Sequence, residues 1–193
     1  MSVRVGQKAP EINLEGVLHR RFNSYQLPNT DGSWTVLLFY PLDFTFVCPT
    51  EVTAFSDAIE RFHGINAKVY GISVDSQFTH LAWTETDRKN GGVGDVKFPL
   101  LADINKETAE AYGVLDSGVA LRGLFIIDNE GIIQHATINN LAVGRNVDET
   151  IRLIEAFQYT KETGEVCPAN WTKGAATMKP NPDGLKEYAT ANN

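Results

Sequence analysis

The sequence predicts an α/β domain, with a central mixed β-sheet flanked by helices. Three observations carry that expectation. The short, continuous apolar run "WTVLLFYPL" (Trp34 to Leu42) suits a strand buried on both faces, and "AKVYGISVD" (Ala67 to Asp75), rich in β-branched and aromatic residues, suits a second strand. The stretches between the runs repeat apolar residues every three or four positions, the period of a helix with one buried face. Finally, "LRGLFIIDNEGIIQHATI" reads as two β-rich runs joined by "DNEG", whose Asp, Asn and Gly suit a tight turn.

The elements follow in order. After the first strand, Pro49 opens a helix whose stripe is Val52, Phe55, Ile59 and Phe62, closed by His63-Gly64. The second strand leads to a helix from about Gln77 to Arg88 carrying Leu81 and Trp83, broken by the glycines of "KNGGVGD". "FPLLAD" is a short strand and "NKETAEAYG" a short helix ending at Gly113. The hairpin comes next. A helix then places Val147, Ile151, Ile154 and Phe157 on one side and stops near Gly164. Residues 1–164 therefore form one domain. Residues 165–193, rich in proline, glycine and polar residues and without a sustained period, form a C-terminal arm. Trp171 within it packs either on its own domain or against another subunit.

At 193 residues the chain supports one good-sized core, and its 42% hydrophobic and 21% charged residues are ordinary for a globular protein. A net charge of −7 with no block of Lys or Arg argues against a dedicated nucleic-acid surface. No stretch approaches the ~20 apolar residues of a membrane span. The opening "MSVRVGQKAPEINLEG" has no apolar core of signal-peptide length, so the expected location is the cytosol. Cysteines there are more often inert, metal-binding or catalytic than structural. Cys48 and Cys167 form no CxxC and have no local His pair, which argues against zinc.

Cys48 stands where a strand gives way to a helix. Pro49 fits the first helical position, where its missing N–H costs nothing. The helix start offers unpaired N–H groups and the positive end of its dipole, a setting in which cysteines act as thiolate nucleophiles. Thr45 brings a hydroxyl, and Pro41 and Pro49 bracket the loop. That combination outweighs a buried, inert thiol. A countercharge is also needed. Arg122 begins the "RGLFIID" strand and is a candidate, although a strand-end arginine in solvent is the commoner reading of such a position. A protease-type thiol hydrolase would instead pair Cys48 with a histidine. His19, His63, His80 and His135 stand at loop, helix-end or hairpin positions, more in keeping with surface or hydrogen-bonded histidines.

"PLDFTFVCPTE" matches the P-x-x-x-T-x-x-C motif of the peroxiredoxins, with Pro41, Thr45 and Cys48 in the fixed places. "EVCPANW" resembles the resolving-cysteine segment of the typical two-cysteine subgroup. Further matches run from "VGQKAP" through "GISVDSQFTHLAW", "FPLLAD", "YGVL" and "RGLFIID" to "VGRNVDETIRLIEAFQY", so the resemblance spans essentially the whole chain.

The resemblance implies a thioredoxin-like fold and reduction of hydrogen peroxide and organic hydroperoxides with no metal, haem or flavin cofactor. It implies Cys48 as the peroxidatic nucleophile, Thr45 and Arg122 as the groups that hold the peroxide, and Pro41 as a shield. Glu51 and Arg145 would belong to the surrounding hydrogen-bond network. Cys167 would resolve the sulfenic acid from the other subunit of a homodimer, with thioredoxin or a related dithiol as reductant and a decameric ring as the assembly. "GGVG" (Gly91 to Gly94) resembles the GGLG element of peroxide-sensitive members with Val93 for leucine. In "EYATANN", Tyr188 is present and Ala189 replaces the second aromatic. These departures predict intermediate sensitivity to overoxidation. Some ring-forming members also act as holdases when overoxidised, a different class of function.

Overall fold

The computed structural model describes residues 3–192. The chain folds into two compact units, Met1–Val147 and Asp148–Asn193. The long helix before the arm therefore belongs with the arm.

The first unit is built on a seven-stranded sheet. Its strands are β1 (Ile12–Leu18), β2 (Arg21–Leu27), β3 (Trp34–Phe39), β4 (Ala67–Ser73), β5 (Leu100–Ala102), β8 (Arg122–Ile127) and β9 (Ile133–Asn139), in the spatial order β2-β1-β5-β4-β3-β8-β9. β3 pairs parallel with β4 and β4 with β5, whereas β8 pairs antiparallel with β3 and β9. The sheet is mixed, as expected. Every residue of β3 and of β8 is buried, which is why β3 reads as a continuous apolar run and β8 as one after its opening Arg122. Between β5 and β8 in the chain lies a small β6–β7 ribbon (Leu115–Asp116 and Val119–Ala120). In the β8–β9 turn, the Asp128 carboxylate accepts from the amides of Glu130 and Ile132, and Gly131 takes φ +78°.

The β1–β2 hairpin was not expected. Its turn places His19 and Arg20 at φ 50° and 60°, so it lacks the Asn-Gly signal such a turn normally carries. β2 is also mostly exposed and polar, as befits a sheet edge.

The helices α1 (Cys48–Asp57) and α2 (Ile59–Gly64) replace the single expected helix, because the backbone breaks at Ala58. The predicted stripe survives the break. Val52, Phe55, Ile59 and Phe62 are all buried, and the Phe55 and Phe62 rings stack at 5.7 Å. Fully burying such side chains contributes about 1.5–3 kcal/mol each. α3 (Gln77–Glu85) is capped by Ser76, which accepts from the Thr79 amide, and ends before a 3₁₀ turn at Arg88–Asn90. α4 is Glu107–Ala111. The core on one sheet face centres on Phe39, Tyr112 and Phe125, whose rings lie 5.0–5.7 Å apart.

The second unit holds α5 (Val147–Thr163, beginning one residue before the unit boundary), the arm and α6 (Pro182–Asn192). Trp171 is buried inside this unit: its ring packs on Tyr159 at 5.6 Å and its N–H donates to Ala175. The arm itself is thus more ordered than its composition suggested. Val166 and Met178 exchange backbone hydrogen bonds, and Asn181 precedes α6, its side chain accepting from the Gly184 amide. Pro182 then occupies the first helical turn, where proline is tolerated.

Candidate active site

α1 begins at Cys48 itself. Val47 is its N-cap and makes no side-chain cap bond, while Pro49 stands in the first turn. The amides of Thr50 and Glu51 both turn back to the Val47 carbonyl. The Cys48 thiol is wholly buried, on a rigid element at the end of the loop that follows β3.

Arg122 comes to it from β8. Arg122 is 3% exposed, so the arginine is not the solvent-facing strand end that spacing favoured. Its Nη1 donates to Cys48 Sγ at 3.4 Å and to Glu51 Oε2 at 2.6 Å, and its Nε donates to the Leu141 carbonyl at 2.7 Å. Glu51 sits one turn after Cys48 on α1, and its carboxylate also accepts three bonds from Arg145: the backbone N–H at 2.8 Å, Nε at 2.6 Å and Nη2 at 2.9 Å. Arg145 Nη1 donates in turn to the Phe39 and Gly123 carbonyls. The two guanidiniums and the one carboxylate are nearly inaccessible to water. Together they leave one positive charge unbalanced, and the sulfur lies against it. The sulfur thus faces a buried cluster in which two guanidiniums meet one carboxylate, an arrangement suited to a partner that carries negative charge.

The loop from Pro41 to Val47 is pinned from below. The Asp43 amide donates to Asp75, and the buried Asp43 carboxylate accepts from the Tyr40 hydroxyl at 2.9 Å. His80 Nδ1 lies 2.7 Å from the same carboxylate, and its Nε2 faces the Leu101 carbonyl at 3.1 Å. A carbonyl only accepts, so Nε2 carries a proton. Burial pushes the Asp43 carboxyl above its ordinary value, against the pull of His80. His80 is therefore a buried residue of α3, not one at a loop or helix end, and it is committed to this network. The sequence pattern assigned Asp43, Asp75 and His80 no part in such a network. Their pairing joins positions far apart in the chain and follows no local period. Pro41 is buried at the end of β3, and the Thr45 hydroxyl donates to the Leu42 carbonyl at 2.9 Å. Its lone pairs are left to accept.

The chain matches the AhpC/TSA family over residues 5–136 and the C-terminal domain of 1-Cys peroxiredoxin over residues 156–191. It is 56% identical to the chloroplastic 2-Cys peroxiredoxin BAS1 of Hordeum vulgare, over 97% of this chain and 90% of the relative. With peroxiredoxin-2 of Bos taurus it shares 55% identity, over 98% and 96%. The chain belongs to the 2-Cys peroxiredoxins. The crystal structure of reduced Plasmodium vivax 2-Cys peroxiredoxin superposes with a TM-score of 0.94 at 46% identity, covering 96% of this chain and 98% of that one. The thioredoxin-like fold and a peroxidase activity follow from this membership.

The second cysteine of this peroxiredoxin falls inside the segment matched by the 1-Cys C-terminal domain. Cys167 is a half-buried free thiol in the second unit, 3.8 Å from the Ala156 carbonyl. Burial pushes its pKa up, and the Arg152 charge offsets this only in part. The glycine segment of the peroxiredoxin is tied firmly to α3. The Trp83 indole donates to the Gly91 carbonyl at 2.9 Å, and the amides of Val93 and Gly94 donate to the Trp83 and Thr86 carbonyls. Arg88 beside it grips Asp57, the last residue of α1, with two hydrogen bonds. Trp83 also packs against Tyr40 and Phe44, which flank the start of the Cys48 loop.

Proposed function

We propose that Cys48 is the peroxide-reactive sulfur of a thiol peroxidase acting on hydrogen peroxide and organic hydroperoxides. The observation that carries the reading is the Arg122 guanidinium donating to Sγ inside a buried cluster of net positive charge. The thiolate attacks the nearer peroxide oxygen and the O–O bond breaks. The far oxygen takes a proton and leaves as water or alcohol, while the sulfur, oxidised by two electrons, becomes a sulfenic acid. Thr45, with its own proton given to Leu42, accepts the peroxide O–H, and Arg122 donates to the oxygen on which charge develops. Glu51 and Arg145 hold Arg122 in place, and Pro41 keeps water from the sulfur.

Cys167 of a partner subunit then condenses with the sulfenic acid, releasing water and forming a disulfide. Thioredoxin or a related dithiol returns both sulfurs to thiols by exchange. A catalytic disulfide of this kind is transient and suits a cytoplasmic protein. Assembly into homodimers, and of these into a decameric ring, is supported by two features. β9 is a terminal strand of the sheet among the described residues, with Ile138 exposed, and Phe46 and Phe78 are largely bare to solvent.

Stopped-flow consumption of hydrogen peroxide and of an alkyl hydroperoxide, with thioredoxin as donor, tests this reading. Rapid turnover by the parent and none by Cys48→Ser is expected. Turnover by Cys48→Ser near the parent level would overturn it.

A further inference from the structure

We infer that Gly144 is a positioning residue for peroxide reduction, its bare α-carbon setting where Glu51 and hence Arg122 stand relative to the Cys48 sulfur. The inference rests on Cys48 being the peroxide-reactive sulfur. Gly144 is not among the glycines with positive φ, so backbone freedom does not explain it. Space does. A Cβ at this position would lie 3.3 Å from Glu51 Cγ, 3.4 Å from Glu51 Oε1 and 3.4 Å from Val47 Cγ1. Those atoms belong to the N-cap and the first turn of α1, so the backbone before α5 lies flat on the helix start that carries Cys48.

This closeness has a use. The amide of the next residue, Arg145, donates to Glu51 Oε1 at 2.8 Å, which requires the backbone at 144 to sit against the carboxylate. The other oxygen, Oε2, shares Arg122 Nη1 with the sulfur, at 2.6 Å against 3.4 Å. Glu51 cannot swing aside, because both its oxygens are held by guanidiniums. A methyl group at 144 therefore moves the carboxylate or lifts the Arg145 amide by a few tenths of an ångström. Either shift changes how Arg122 divides its N–H between Glu51 and Cys48. Close packing leaves no slack to absorb the change.

The test compares Gly144→Ala with the parent by two reactions of Cys48, in a Cys167→Ser background so that no second thiol reports. Both reactions use the thiolate, but peroxide reduction also needs the guanidinium aimed at the breaking O–O bond, whereas alkylation by iodoacetamide does not. The rate constant with hydrogen peroxide is expected to fall about tenfold, as small misplacements of aligned groups do. Alkylation should change by less than about threefold. A peroxide rate within about twofold of the parent, or equal losses in both reactions, would overturn the inference. Should alanine compromise folding, circular dichroism will show it. Val47→Ala then supplies the room, and the double variant is expected to fold and to recover part of the peroxide rate over any folded Gly144→Ala. A double variant that stays unfolded, or shows no such recovery, would also overturn it. If Cys48→Ser itself reduced peroxide, the functional reading would fail instead, and the two failures are distinct.

Discussion

Arg122 reaches the sulfur of Cys48 across 74 residues of sequence, and the same Nη1 is held 2.6 Å from Glu51. The sulfur thus shares its donor with a carboxylate that a second arginine also grips. Replacing Arg122 with Gln removes the charge while keeping a polar side chain. We expect a loss of about 10²-fold or more in the peroxide rate constant, typical for losing one preorganised donor. Stopped-flow kinetics at saturating reductant measure it, and an effect under fivefold would separate Arg122 from the chemistry.

Glu51→Gln should cost stability more than its conservative shape suggests. Two buried guanidiniums would remain without their carboxylate. Burial already pulls Arg145 below its ordinary pKa, and Glu51 is the main group holding it up. Leaving buried charges unpaired typically costs about 3–5 kcal/mol. Urea unfolding should show the midpoint fall accordingly; an unchanged midpoint would mean that the cluster is not the buried charge pair described.

Cys167→Ser should leave the first reaction with peroxide intact and stop thioredoxin-linked turnover. On a non-reducing gel the peroxide-treated variant should run as a monomer where the parent gives a disulfide-linked dimer. A persisting dimer band would contradict the resolving role.

The step that consumes Cys167 should speed up with pH. Its pKa lies above the ordinary cysteine value, so near neutrality the group is mostly protonated. The attacking thiolate grows about tenfold for each unit of pH below that pKa. Single-turnover disulfide formation should therefore rise steadily between about pH 7 and about 8.5. A flat profile would show that a change of conformation, not thiol ionisation, limits resolution.

Overoxidation should respond to the glycine segment. A Cβ on Gly92 would fall 1.9 Å from the Thr86 carbonyl oxygen, so Gly92→Ala must displace backbone. The segment braces Trp83, and Trp83 braces the loop leading to Cys48. The variant should open that region more readily and form the disulfide before a second peroxide arrives. Mass spectrometry at rising peroxide should find less Cys48 sulfinic acid than in the parent, which is itself expected to be of intermediate sensitivity. Equal or greater sulfinic acid in the variant would refute the bracing role.

Much of this was legible along the chain because its causes are local. β3 is buried along its whole length and β4 everywhere but at Lys68, so both are dominated by apolar residues, and the α1–α2 stripe follows the helical period even across the break at Ala58. The motif joining Pro41, Thr45 and Cys48 is likewise local, since one loop and one helix start hold all three. The β1–β2 hairpin and α6 escaped notice because their signals are weak or ambiguous. The hairpin turns on His19 and Arg20 without glycine, and the Asn-Pro-Asp-Gly that starts α6 resembles a turn until the Asn181 cap is seen. For Trp171 the sequence left its own domain and another subunit both open, and Tyr159 and Ala175 of its own unit satisfy it.

By itself, the sequence determined an α/β domain with one cysteine at a helix start and a second cysteine in the arm. Only the tertiary structure decided that Arg122 faces inward, that Glu51 is clasped by two arginines, and that Asp43 and His80 pin the loop. The physical reason is that a buried charge is tolerable only beside its partners. Those partners come from β8, from the backbone before α5 and from α3, which nothing but the folded sheet brings together.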